Sequence, residues 1–165
     1  MSLDCLTPAG QRAIEAQREI LDRFLSVYPD VECLLTATDQ PAAVDAVIGR
    51  RGVVVAVAEV KARNATLACL REQFGSYLIT ASKIEEARKV GMGLSASTLL
   101  IVGLLDAIVW WKLAAPDGSW LVPFRCEETV TQATVNGGSA CRLNAYLSLE
   151  PMKVALVWNL EEGGP

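Results

Sequence analysis

Hydrophobic positions along the chain follow two rhythms. Between Gly10 and Tyr28 the apolar residues Ile14, Leu21, Phe24, Leu25 and Tyr28 recur at helical spacing, which predicts an amphipathic helix with a polar opposite face. The pattern then shortens into β-branched runs. Asp45 opens Ala46-Val47-Ile48, the segment Gly49-Arg50-Arg51-Gly52 has the composition of a hairpin turn, and the run after Gly52 is valine and alanine up to Glu59. Such an uninterrupted run suits a strand buried on both faces. A helical stretch beginning at Asn64 or Thr66 is predicted to reach Ile79, and Ser82-Lys83-Ile84-Glu85 forms a capping box that opens another helix ending near Gly91. Leu99 to Trp111 is broken by Asp106 into two buried strands, Pro116-Asp117-Gly118 marks a turn, and further strands are expected at 120–124, 129–135, 140–147 and 152–158.

Charged groups at the end of the valine run change the picture. Side chains alternate along a strand, so Glu59 and Lys61 project from one face while Val60 points to the other. Antiparallel pairing of the Asp45 stretch with the valine run brings Asp45 level with Glu59. Two carboxylates and a backbone carbonyl are oxygen ligands of the kind Mg²⁺ takes alongside water and substrate phosphate. Asp45, Glu59 and the carbonyl of Val60 are therefore the candidate metal ligands, with Lys61 placed to orient water or offset charge on a phosphodiester under attack. Against this stands the plain alternative that Glu59 and Lys61 form a simple ion pair at a strand end.

The whole segment, Asp45-Ala46-Val47-Ile48 followed by a turn, an apolar strand and Glu59-Val60-Lys61-Ala62-Arg63, resembles the core of the PD-(D/E)XK nuclease superfamily. The resemblance spans residues 8 to 115 and is strongest from 43 to 83. It implies a restriction-endonuclease-like α/β fold: an αβββαβ core whose central mixed sheet is flanked by helices, here with extra C-terminal strands. It also implies Mg²⁺- or Mn²⁺-dependent cleavage of DNA or RNA. Gln73-Phe74-Gly75-Ser76-Tyr77 looks like the Gln-x-x-x-Tyr element of the RecB-type and viral exonuclease branch, which would put Gln73 and Tyr77 on one helical face as supports for the catalytic residues or substrate phosphate. Glu15 follows Gly10 much as the helix-one glutamate does in resolvase-like members, although the wheel turns Glu15, Glu19 and Asp22 away from the apolar face and puts Gln17 within it. The Pro-Asp dipeptide that names the superfamily is absent, since Val44 precedes Asp45; Asp39, in turn-like sequence, is the rival acidic residue.

Composition bounds these readings. The 165 residues suit one domain over 1–160 with a disordered tail at 161–165. The absence of histidine excludes a His-based nucleophile, general base or zinc site. Five cysteines without Cys-x-x-Cys spacing point to a reducing cytoplasm. The longest apolar run is shorter than the ~20 residues of a membrane helix, so no membrane association is expected. A net charge of −4 is unusual for a nucleic-acid binder, yet residues 50–89 carry eight Lys or Arg against four acids. Arg63, Arg71 and Lys83 are the candidate phosphate contacts within that basic stretch. Trp110, Trp111 and Trp120 lie on apolar sequence, where packing is a commoner fate than base stacking.

The expected function is a DNA nuclease of a repair, recombination or phage type. Fold analogy adds a homodimer. Two alternatives remain open: a catalytically inactive nucleic-acid-binding or assembly module of the same fold, and a small-molecule or protein-binding domain.

Overall fold

The computed structural model describes residues 7–36, 42–131 and 140–158. Helix α1 (Pro8–Val27) starts where Thr7 caps the amide of Gly10 and Pro8 occupies the first turn. Ile20, Leu21 and Phe24 form its buried stripe. Strands β1 (Glu32–Leu35), β2 (Ala46–Arg50) and β3 (Val53–Ala62) follow as an antiparallel meander. The β2–β3 turn places Arg51 at φ 52° and Gly52 at φ 76°. Two successive left-handed residues make a turn whose twist matches the flanking strands, which is why glycine closes it.

Strand β5 (Ser97–Gly103) lies parallel to β3, and β6 (Ala107–Ala114) returns antiparallel. With β9 (Lys153–Val157) on the far edge, the central sheet runs β1-β2-β3-β5-β6-β9 and is mixed, as expected. Helix α1 covers one face through Val60, Ile101 and Ile108. The other face, carrying Leu100, Val102, Val109 and Trp111, packs beneath a second sheet. That sheet, β4-β8-β7, joins β4 (Ser76–Thr80), β8 (Ala140–Ser148) and β7 (Phe124–Thr131). Helix α3 (Ala81–Gly93) follows β4 directly and buries Ile84 and Ala87.

Three local expectations are corrected. The helix that Thr66 caps is α2 (Leu67–Cys69), which widens into a π-helical turn over Leu70–Phe74 and stops at Gly75, φ 63°. Its first amide is held by the Asp106 carboxylate at 2.8 Å, so the break between two buried strands also anchors this helix. Residues 76–80 are strand, not helix, because β8 offers a complete antiparallel partner from Ser76↔Ser148 to Thr80↔Asn144. Tyr77 and Ile79 turn inward and Leu78 outward, the period of a half-buried strand. Ser82 lies inside α3 instead of capping it, and Glu85 pairs with Arg88 at 2.7 Å. Trp120 makes only an isolated bridge to Ala114, so the strand expected at 120–124 begins at Phe124.

The expected hairpin of residues 129–147 exists as β7–β8, with its connection outside the described residues, as are Cys5, Asp39 and the tail at 161–165. Trp111 is fully buried and donates to Ser148 O at 2.9 Å, while Trp110 is half-buried and donates to the Tyr28 hydroxyl at 3.1 Å. Cys33, Cys69, Cys126 and Cys141 are free thiols. Among the described residues no helix is long and apolar enough to cross a membrane.

Candidate active site

The site forms where β3 outruns its neighbour. β2 begins opposite Ala58, and Asp45, one residue earlier, still donates its amide to Ala58 O at 2.9 Å. Beyond that point the β2 side of β3 has no ladder partner. Peptide groups alternate along a strand, so the N–H and C=O of Val60 both face this open side. Each receives a side chain in place of a strand. The Asp45 carboxylate accepts the Val60 amide at 2.8 Å, and Gln17 of α1 donates its Nε2 to the Val60 carbonyl at 3.1 Å. Thr36, just after β1, steadies the Asp45 peptide by donating its amide to Asp45 O at 3.1 Å.

On the sheet face away from α1, Glu59 and Lys61 lie side by side. Lys61 Nζ is 2.6 Å from Glu59 Oε1 and 3.6 Å from Asp45 Oδ2, so both carboxylates converge on one cationic centre. Glu59 is only 2% exposed, whereas Asp45 and Lys61 remain partly open to solvent. Burial pushes the Glu59 carboxyl above its ordinary value; the neighbouring Lys61 ammonium opposes this and the Asp45 carboxylate adds to it, with Lys83 a further opposing charge. A buried carboxylate beside a second one is electrostatically unsatisfied without a cation close by.

These donors fit a hard divalent ion. Two carboxylate groups already within reach of one positive centre, with the Val60 carbonyl on the open edge of the same strand, supply oxygen ligands and leave positions for water and phosphate. Among the described residues no cluster of three or more His, Cys, Asp or Glu exists, so any such site here rests on two carboxylates plus backbone.

The other predicted residues divide. Glu15 is exposed on the solvent side of α1; it sits two residues, or about 200° of helical turn, from Gln17, which is the helix-one side chain that reaches β3. The signal was a polar amide inside an apolar stripe. Gln73 and Tyr77 do not share a helix: Gln73 is exposed on the π-helical turn, where its Oε1 accepts from Cys69 Sγ at 3.3 Å, and Tyr77 is buried on β4 against Trp111. Both nevertheless border one pocket beside Arg63. Arg63 projects from the same face of the β3 extension as Glu59 and Lys61, donates to Leu78 O at 3.1 Å and lies 5.3 Å over the Tyr77 ring. Arg71 is exposed on the Gln73 turn. Lys83, in the first turn of α3, pairs loosely with Glu86 at 3.7 Å while its charge reaches Glu59.

An αβββαβ core with Asp45, Glu59 and Lys61 gathered at the end of its central strand defines a PD-(D/E)XK-type domain. The sequence profile of the family described as "Phage putative PDDEXK endonuclease" matches residues 9–120, and the chain belongs to that family. No curated protein matches it. Among solved structures it is similar to Hjc, a Holliday junction resolvase of the archaeal hyperthermophile Archaeoglobus fulgidus, with 16% identity, a TM-score of 0.43, and coverage of 58% of this chain and 74% of that one.

Proposed function

We propose that the protein hydrolyses phosphodiester bonds of DNA with Mg²⁺ or Mn²⁺ held by Asp45, Glu59 and the Val60 carbonyl. The observation that carries this reading is the convergence of Asp45 and Glu59 on the position of Lys61 Nζ at an unpaired strand edge. A divalent ion bound there would make water more acidic and offset charge on the phosphate oxygens. The chain's own groups do the rest. Asp45 is held in place through the Val60 amide, so its free lone pairs keep a fixed direction. Lys61, a partly exposed ammonium, faces the incoming phosphate and stabilises the negative charge that grows as water adds to phosphorus and one P–O ester bond breaks. Arg63, two residues beyond Lys61, and Lys83, whose charge acts on Glu59, favour a polyanionic substrate in spite of the acidic whole. Processing of phage, repair or recombination intermediates is the role this chemistry suits, and action as a homodimer on duplex DNA belongs to the same reading.

Cleavage of single-stranded, duplex, flapped and four-way-junction DNA, and of RNA, in Mg²⁺, Mn²⁺ or EDTA tests it. Wild-type protein should cut in either metal and not in EDTA, and Lys61→Ala should lose at least 100-fold, on the order of one transition-state contact. Cutting by Lys61→Ala at the wild-type rate would defeat the assignment. Binding without cutting in every condition would favour an inactive module, and light scattering would give the oligomeric state.

A further inference from the structure

Just past the end of β3, at Arg63, the surface opens into a pocket of about 490 Å³ bordered by Arg63, Gln73, Phe74, Tyr77, Leu78 and Tyr146. Its size falls within the range of about 300–1,000 Å³ typical of small-molecule sites. Its chemistry is specific. Three aromatic rings contribute, and one of them, Phe74, is 59% exposed on the π-helical turn. Such turns recur at functional sites, and here Gly75, in the left-handed conformation, ends the turn directly after Phe74. The planar Arg63 guanidinium is fixed by Leu78 O and lies over the Tyr77 ring. The Tyr77 hydroxyl is buried without a hydrogen-bond partner of acceptable geometry, an energetic cost for a buried polar group. Gln73 adds an amide at the rim.

A phosphate would find one cation and an apolar wall here. A planar heterocycle would find ring faces to stack on and hydrogen-bonding groups for its edge. Arg63 lies two residues beyond Lys61, about 7 Å of extended chain, so the heterocycle would sit within a nucleotide or so of the reacting phosphate. We propose that this pocket receives one unstacked nucleobase of the substrate, so that the protein favours DNA with an unpaired nucleotide beside the cleaved bond over uninterrupted duplex. The proposal rests on the nuclease reading for the identity of the polymer. A base inside a duplex must leave the stack before it can enter a concave site, and a base already unpaired pays less for that step.

The test measures binding by fluorescence anisotropy, at low salt in EDTA, to three labelled duplexes: one with a single bulged adenine, one with an abasic bulge at the same place and one fully paired. Wild type should bind the adenine bulge about tenfold more tightly than the abasic bulge, the scale of one base stacked on an aromatic ring. Phe74→Ala should erase that difference and Phe74→Trp should keep it. Phe74 is exposed, and matching thermal melts of the three proteins confirm that they fold alike. Equal binding of the two bulges by wild type, no binding of any duplex, or a preference that survives Phe74→Ala would overturn the pocket. Cleavage of the same duplexes in Mg²⁺ separates the two claims: cutting without base preference sinks the pocket alone, and base preference without cutting sinks the nuclease alone.

Discussion

The Asp45 carboxylate accepts the amide of Val60 at 2.8 Å, joining two strands at a point where their ladder has already ended. A residue proposed to hold metal therefore also holds the backbone. Asp45→Ala should cost about 1–2 kcal/mol of stability, because the Val60 amide is left partly buried without its acceptor. Asp45→Asn keeps an acceptor oxygen and should stay within about 0.5 kcal/mol of wild type while losing metal-dependent cleavage equally. Urea unfolding and cleavage assays on both variants separate the roles; equal destabilisation by Asn and Ala would show that the carboxylate charge, and not the bond, matters to the fold.

Lys61 neutralises a carboxylate that is almost wholly buried. Its removal leaves that charge unpaired, so Lys61→Ala should lower stability by about 1–3 kcal/mol, less than a fully buried pair because Lys61 is itself partly exposed. Adding Glu59→Gln to Lys61→Ala should restore most of the loss. Denaturant midpoints at neutral pH check this, and a double variant no more stable than Lys61→Ala would exclude ionic pairing as the cause.

Gln17 places a donor against the Val60 carbonyl. Gln17→Glu turns that donor into an acceptor facing an acceptor and should cost about 1–2 kcal/mol without metal. The new carboxylate also adds an oxygen ligand beside Val60. Millimolar Mg²⁺ should therefore raise the melting temperature of Gln17→Glu more than that of wild type; an equal rise in both would show that the Val60 carbonyl lies away from the ion.

Tyr77 supplies a pH signature. Burial raises its hydroxyl from the ordinary 10 to about 12, with Arg63 partly opposing the rise. The folded state thus holds the proton more tightly than the unfolded state does. The stabilisation is fully present below pH 10 and is lost as pH rises from 10 towards 12, by up to about 2–3 kcal/mol. Tyr77→Phe should flatten this alkaline decline in melting temperature while changing neutral stability little, since the hydroxyl makes no hydrogen bond of acceptable geometry. A decline of wild-type steepness in Tyr77→Phe would place the titrating group elsewhere.

Much of the fold was legible along the chain. The β2–β3 hairpin, the buried pair β5–β6, helix α1 and the facing of Glu59 with Lys61 all follow from short periodic signals and turn residues. Two signals were present but outweighed. Gly75 is a helix stop and Tyr77-Leu78-Ile79 is strand-forming sequence, yet the spacing of Gln73 and Tyr77 pointed to continuous helix. Gln17 is an amide on an apolar stripe, and it, not the acidic Glu15, reaches β3.

By itself the sequence determined the period-two strand that places Glu59 and Lys61 on one face and the turn that returns Asp45 to their level, because both are set by neighbours a few residues apart. Only the tertiary structure decided that β4 pairs with β8 across a long stretch of chain, that Tyr77 and Arg63 meet over a pocket, and that Gln17 closes the free carbonyl of Val60. Those relationships depend on which distant elements satisfy an exposed backbone group or cover an apolar face, and no local periodicity encodes that choice.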